Sequence, residues 1–190
     1  SRTTLTEAEK SQVETEAIRI LGRCIGPSWG VTETSAELVV GEVQSGKTLS
    51  FTALSALARD NGFPLIIVLA GTKKNLRDQT ITRIRSDLRV DGDGGLPSWS
   101  ALDGPVLADA EDVARRVRLW IDQPNRNHVT TLAVVLKNSS PLQKAAQFLE
   151  RVTELAGTFP ALIIDDEADQ AGLNLLWRKG RESPTYRSIR

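Results

Sequence analysis

Methionine is absent from this 190-residue chain, and cysteine, histidine and tyrosine occur once each. The lone cysteine, Cys24, excludes an intrachain disulfide and a cysteine-based zinc site. A reducing compartment, the cytoplasm, is therefore the expectation. The lone histidine, His128, lies among Asn125 and Asn127 and reads as a surface residue rather than a catalytic one. Net charge is missing too, because 24 Lys and Arg balance 24 Asp and Glu. That excludes a uniformly basic nucleic-acid coat and an acidic disordered tail. The longest apolar run, residues 65–71, falls far short of the ~20 residues that span a bilayer. Residues 1–18 carry Glu7, Glu9, Glu14 and Glu16 where a secretory signal would be apolar. No membrane partner is expected. The missing methionine, with Ser1 as first residue, suggests a piece of a longer protein.

What is present is ordinary for a soluble globular domain, with 40% hydrophobic and 25% charged residues. Residues 4–25 read as a helix, capped by Thr6 with Glu9 as its capping-box partner. Val13, Ala17, Ile20, Leu21 and Cys24 recur along it at helical spacing. Residues 26–35 read as a linker, so that residues 1–35 form an appendage and 36–190 the main domain. Strands and helices then alternate. Strands are expected at 37–41, 64–70, 131–137 and 161–165, and helices at 47–61, 74–89, 110–121 and 140–155. Leu49, Ala53, Leu57 and Ala58 would face inward on the first of these helices, and Leu76, Ile81, Ile84 and Leu88 on the second. Residues 91–105, with four glycines and two prolines, read as a mobile loop. The run PLIIVLA at 64–70 is of the kind buried on both faces of a parallel sheet. The pattern predicts an α/β fold: an open, mostly parallel sheet with helices on both faces.

The sharpest motif is Gly41-Glu42-Val43-Gln44-Ser45-Gly46-Lys47-Thr48, which satisfies G-x-x-x-x-G-K-[ST] between an expected strand and an expected helix. Gly41, Gln44, Ser45 and Gly46 would let backbone N–H groups approach phosphate oxygens at a helix N-terminus. Lys47 would reach the β- and γ-phosphates of ATP, and Thr48 would hold Mg²⁺. A second motif, Leu162-Ile163-Ile164-Asp165-Asp166-Glu167-Ala168-Asp169, is an apolar strand ending in carboxylates. Asp166 suits the Mg²⁺ shell, and Glu167 can orient or deprotonate the attacking water. An acidic turn capping the next helix is the plainer alternative for that segment taken alone.

A third feature is basic. From Thr72 to Arg89 six basic residues, Lys73, Lys74, Arg77, Arg83, Arg85 and Arg89, meet only Asp78 and Asp87. Ligands of open α/β sheets sit outside the carboxyl ends of the strands, so Thr72, Lys73, Lys74 and Arg77 are the candidates for gripping nucleic-acid phosphate. A solvated helix face is the plainer alternative. Trp120 reads as core, and Trp99 as a loop residue able to stack on a base. The segment 177–190 holds Arg178, Lys179, Arg181, Arg187 and Arg190 against Glu182, and reads equally as a nucleic-acid contact or a solvated helix.

Together these elements resemble the superfamily-two helicases, whose motor lobes are RecA-like. GEVQSGKT is similar to their motif I, LAGTKKNLRDQT to motif Ia through Leu76 and Gln79, and LIIDDEAD to motif II. Residues 134–138 stand where motif Ib lies. The wording is also similar to the Z-one domain family, helicase-like ATPases linked to bacterial restriction or phage defence. The resemblance implies a RecA-like P-loop NTPase lobe that binds ATP and Mg²⁺ through Lys47, Thr48 and Asp166 and hydrolyses ATP with Glu167 and Lys47. It also implies nucleic acid as partner, with DNA favoured, a second RecA-like lobe in the intact protein, and nuclease or defence partners. Motif Ia differs from the A-P-T-R-E-L-A form of DEAD-box RNA helicases, and no D…E-x-K nuclease constellation stands out. A non-motor nucleotide switch in a defence or signalling assembly is the alternative reading.

Overall fold

The computed structural model describes residues 6–24, 26, 30, 33–37, 39, 47–90, 98–123 and 128–166, with the side chains of 47–49 and 76 outside that set. Helix α1 (Glu7–Leu21) opens on the expected capping box. The Glu9 N–H donates to Thr6 Oγ1 at 3.3 Å, and the Thr6 N–H donates back to Glu9 Oε2 at 2.8 Å. The backbone N–H and the hydroxyl of Thr6 hold the Glu9 carboxyl below the usual carboxylate range. Helix α2 (Lys47–Asp60) ends as expected at Gly62, whose φ of 89° few other residues adopt. The Gly62 N–H reaches Arg59 O at 3.0 Å and the Phe63 N–H reaches Ala58 O at 3.1 Å, the paired bonds of a Schellman motif.

The chain then builds β1 (Leu65–Ala70), α3 (Lys74–Asp87), β2 (Trp99–Asp103), α4 (Ala110–Asp122), β3 (Thr130–Leu136), α5 (Ser139–Ala156) and β4 (Ala161–Asp165). The four strands form one sheet in the order β2-β3-β1-β4, and every pairing is parallel. Parallel neighbours need long crossovers, which the helices supply, and these cover both faces. All six residues of β1 are buried, as a strand covered on both sides requires. Ile66, Val68, Ala70, Leu132, Val134, Leu162 and Ile164 face α2 and α3, meeting Leu54, Ala58, Ile81 and Ile84. Leu65, Ile67, Leu69, Ala133 and Val135 face α4 and α5, meeting Val113, Val117, Leu142, Phe148 and Val152.

Several expectations are corrected. The loop reading of 91–105 fails over its second half, where Trp99–Asp103 is a strand paired to β3. Trp99 is buried in the core beneath the Arg59 guanidinium, 5.9 Å from its ring centroid, and cannot present its ring to a base. His128 is not a surface residue. It is 8% exposed, stands 5.3 Å from the Trp120 ring, and its Nε2 lies 2.5 Å from Gln123 O. A carbonyl only accepts, so Nε2 carries the proton. On α2, Leu54 and Ala58 enter the core, while Ala53, Ala56 and Leu57 line a shallow groove with Val13 and Ala17 of α1. A helix covered by both the sheet and a second helix shows two apolar faces, which blurs the single stripe that its sequence spacing suggests. Of the strand expected at 37–41, Glu37 and Val39 belong to no strand, and residues 38, 40 and 41 lie outside the described set. The side chains of Leu49 and Leu76, the first half of the 91–105 segment and residues 177–190 also lie outside it.

Phe148 has no exposed surface. Phe148→Ala should cost about 3–5 kcal/mol through lost burial and a residual cavity. Urea denaturation checks this as a lower midpoint at unchanged slope.

Candidate functional site

Because all four strands run the same way, their carboxyl ends share one rim of the sheet. The residues that follow each strand therefore gather there: Gly71–73 after β1, Gly104 after β2, Lys137 and Asn138 after β3, and Asp166 after β4. Helix α2 runs along the α2/α3 face and ends at the opposite rim, where Arg59 Nε donates to Ser98 O, just before β2, at 3.3 Å. Its 14 residues, at ~1.5 Å each, span about the length of a strand. The start of α2, Lys47 and Thr48, accordingly lies towards the carboxyl rim.

The acidic end of β4 divides its two carboxylates between faces. Successive side chains of a strand alternate. Asp165 follows Ala161 and Ile163 onto the α4/α5 face. Asp166 continues the ladder, with its N–H donating to Leu69 O at 3.0 Å, and so takes the parity of Leu162 and Ile164 on the α2 face. Mg²⁺ takes oxygen ligands in the form of one or two carboxylates plus substrate phosphates. Asp166, at the register position after Ile164 and Asp165, brings a carboxylate of the kind that requirement names to the carboxyl rim.

Asp165 is already engaged. Lys137 Nζ stands 2.6 Å from Asp165 Oδ1, with the lysine side chain 0% exposed and the aspartate 27%. The approach is ionic rather than along a hydrogen-bond direction. Strands β3 and β4 flank β1 and lie two spacings apart, ~9.6 Å. The lysine stem spans that gap over the end of β1, where its own N–H donates to Ala70 O at 3.1 Å. Next to it, Asn138 Nδ2 donates to Thr72 O at 3.1 Å, tying the start of α5 to the loop after β1.

On the basic loop, Thr72, Lys73 and Lys74 are exposed. Arg77 is not comparable. Its side chain is 15% exposed and lies 2.9 Å from Asp78 and 3.2 Å from Asp103, the last residue of β2. Its guanidinium ties α3 to β2. Gly41, Gln44, Ser45, Gly46 and Glu167 lie outside the described residues, as do the side chains of Lys47 and Thr48.

Sequence reasoning included Asp165 in the acidic strand end and Lys137 and Asn138 in the segment 134–138, but gave none of them a partner, and it missed Asp103 as part of this rim. The signal for Lys137 was its parity. It shares the side of Ala133 and Val135 in an otherwise apolar strand, where a charge needs a partner. No family model, no curated protein and no solved structure matches the chain. Among the described residues, no helix is long and apolar enough to cross a membrane.

Proposed function

We propose that this chain is a RecA-like lobe that binds and hydrolyses ATP within a helicase- or translocase-like protein acting on nucleic acid. The observation that carries the reading is the parity of Asp166. It directly follows β4, in register with Leu162 and Ile164 on the face covered by α2, the helix that begins with the Lys47-Thr48 of the glycine-rich motif. A phosphate-binding loop and a metal-holding carboxylate must converge in this way for phosphoryl transfer, which depends chiefly on positioning and charge stabilisation. Mg²⁺, when bound, neutralises charge that develops on the phosphate oxygens. Lys47 and the loop N–H groups would grip the phosphates, Thr48 and Asp166 would hold the metal, and Glu167 would orient the attacking water. The Z-one-like wording of the motifs supports a place in restriction or phage defence.

Nucleic acid would approach the same rim. Lys73 and Lys74 stand exposed at the start of α3, where backbone N–H groups also favour phosphate. The second reading, a non-motor nucleotide switch, draws on Arg77. Its capture by Asp78 and Asp103 leaves the basic loop with less charge to offer a polymer.

Two outcomes are expected. With Mg·ATP at ~100 times its dissociation constant, thermal unfolding should shift by the equivalent of ~2.7 kcal/mol, and Lys47→Ala should abolish the shift. A wild-type protein whose melting ignores nucleotide would overturn the reading. In a fluorescence-anisotropy titration with single-stranded DNA, Lys73→Ala/Lys74→Ala should weaken binding and lower the slope of log K against log salt by about two, one per lost phosphate contact. An unchanged slope would favour the switch.

A further inference from the structure

We propose that Asn138 is a positioning residue for nucleic acid, holding the loop between β1 and α3 so that Lys73 and Lys74 are already in place when the phosphates of the polymer arrive. This rests on the nucleic-acid reading given above and adds to it a residue from the end of another strand.

The loop consists of residues 71–73, between the end of β1 and the start of α3. Gly71 is buried, while Thr72, Lys73 and Lys74 are exposed. Lys73 stands at the N-cap of α3 and makes no side-chain cap bond, since an ammonium has no acceptor to offer. The helix does not secure its own start in the usual way. Asn138 secures it from outside. It occupies the N-cap of α5, where an asparagine ordinarily accepts from the backbone N–H of the second or third helical residue. Here it makes no such bond. The third residue is Pro141, which has no N–H to give. The side chain reaches across the rim instead, and Nδ2 donates to Thr72 O at 3.1 Å. Only the nitrogen of the amide can donate to a carbonyl, so the partner fixes the orientation of the Asn138 amide.

A peptide unit is planar and trans, with its C=O and N–H pointing in opposite directions. Holding Thr72 O therefore also sets the direction of the Lys73 N–H. From Lys73 onward the helix takes over, with the Arg77 N–H donating to Lys73 O at 3.2 Å. The Arg77 guanidinium secures the far end of the same turn, 3.2 Å from Asp103 at the end of β2. The stretch that carries both lysines is thus held at residue 72 to the segment after β3 and at residue 77 to the end of β2. A backbone ordered before the polymer arrives loses less freedom on association, which favours binding.

The test is a double-mutant cycle, read by fluorescence anisotropy of a labelled single-stranded DNA titrated with the full chain at one salt concentration. Asn138→Leu removes the donor at similar volume and should weaken binding about three- to tenfold, the range that one hydrogen bond carries. In the Lys73→Ala/Lys74→Ala background the same substitution should change nothing, because the groups that Asn138 positions are gone. Should Asn138→Leu fail to fold by circular dichroism, Asn138→Ala takes its place with the same expectation. Wild-type affinity in the folded Asn138 variant would overturn the proposal. So would an equal loss in the lysine-free background, which would mean that Asn138 acts independently of the lysines. A wild type that binds no DNA, or a Lys73→Ala/Lys74→Ala protein that binds as tightly as the wild type, would overturn the nucleic-acid reading itself.

Discussion

Parallel pairing of β1 with both β3 and β4 is the constraint from which the rest of the molecule follows. Parallel neighbours cannot be joined by tight turns, so β1, β2 and β3 are each followed by a helix that carries the chain back across a face of the sheet. Two covered faces leave β1 wholly apolar, with no position on it for chemistry. Polar groups are displaced to the ends of the strands, and a common strand direction puts all the carboxyl ends on one rim. The location of the candidate site is thus decided by chain direction before any particular side chain is considered.

At that rim the charges are sorted rather than pooled. Arg77 is taken up by Asp78 and Asp103, and Lys137 by Asp165, while Lys73 and Lys74 face solvent. These arrangements differ in weight. Pairs between exposed groups contribute ~0–1 kcal/mol, and the contacts of Arg77 with half-exposed aspartates belong near that range. Lys137 differs in kind, because its side chain is wholly enclosed. The formal neutrality of the chain conceals this division into a buried tie, a surface tie and an open basic edge.

The elements that could be read from the sequence are those whose identity is local. PLIIVLA is a buried strand by composition alone, the Thr6–Glu9 box is a helix start by spacing, and Gly62 is a stop because of the φ it must adopt. Strand β2 escaped because Trp99-Ser100-Ala101-Leu102-Asp103 follows a glycine-rich stretch and has only one buried residue, Trp99, to mark it. His128 escaped for a related reason, since what buries it is the Trp120 ring one helix earlier. The candidate site divides in the same way. GEVQSGKT and the acidic strand end announce themselves by type and order. That Arg77 would meet Asp103, or Lys137 meet Asp165, depends on which strands become neighbours, and the order β2-β3-β1-β4 is not written in any local window.

Stability alone is a poor explanation for a lysine at position 137. Removing an ammonium from water costs several kcal/mol even after relaxation, and a close carboxylate offsets that only in part. An apolar side chain of similar volume would fill the space beside Val135 without the cost. What it could not do is tie β3 to β4, which are not neighbours in the sheet, across the end of β1. The buried pair is therefore better understood as a determinant of geometry than of stability, a link across the carboxyl ends of the strands.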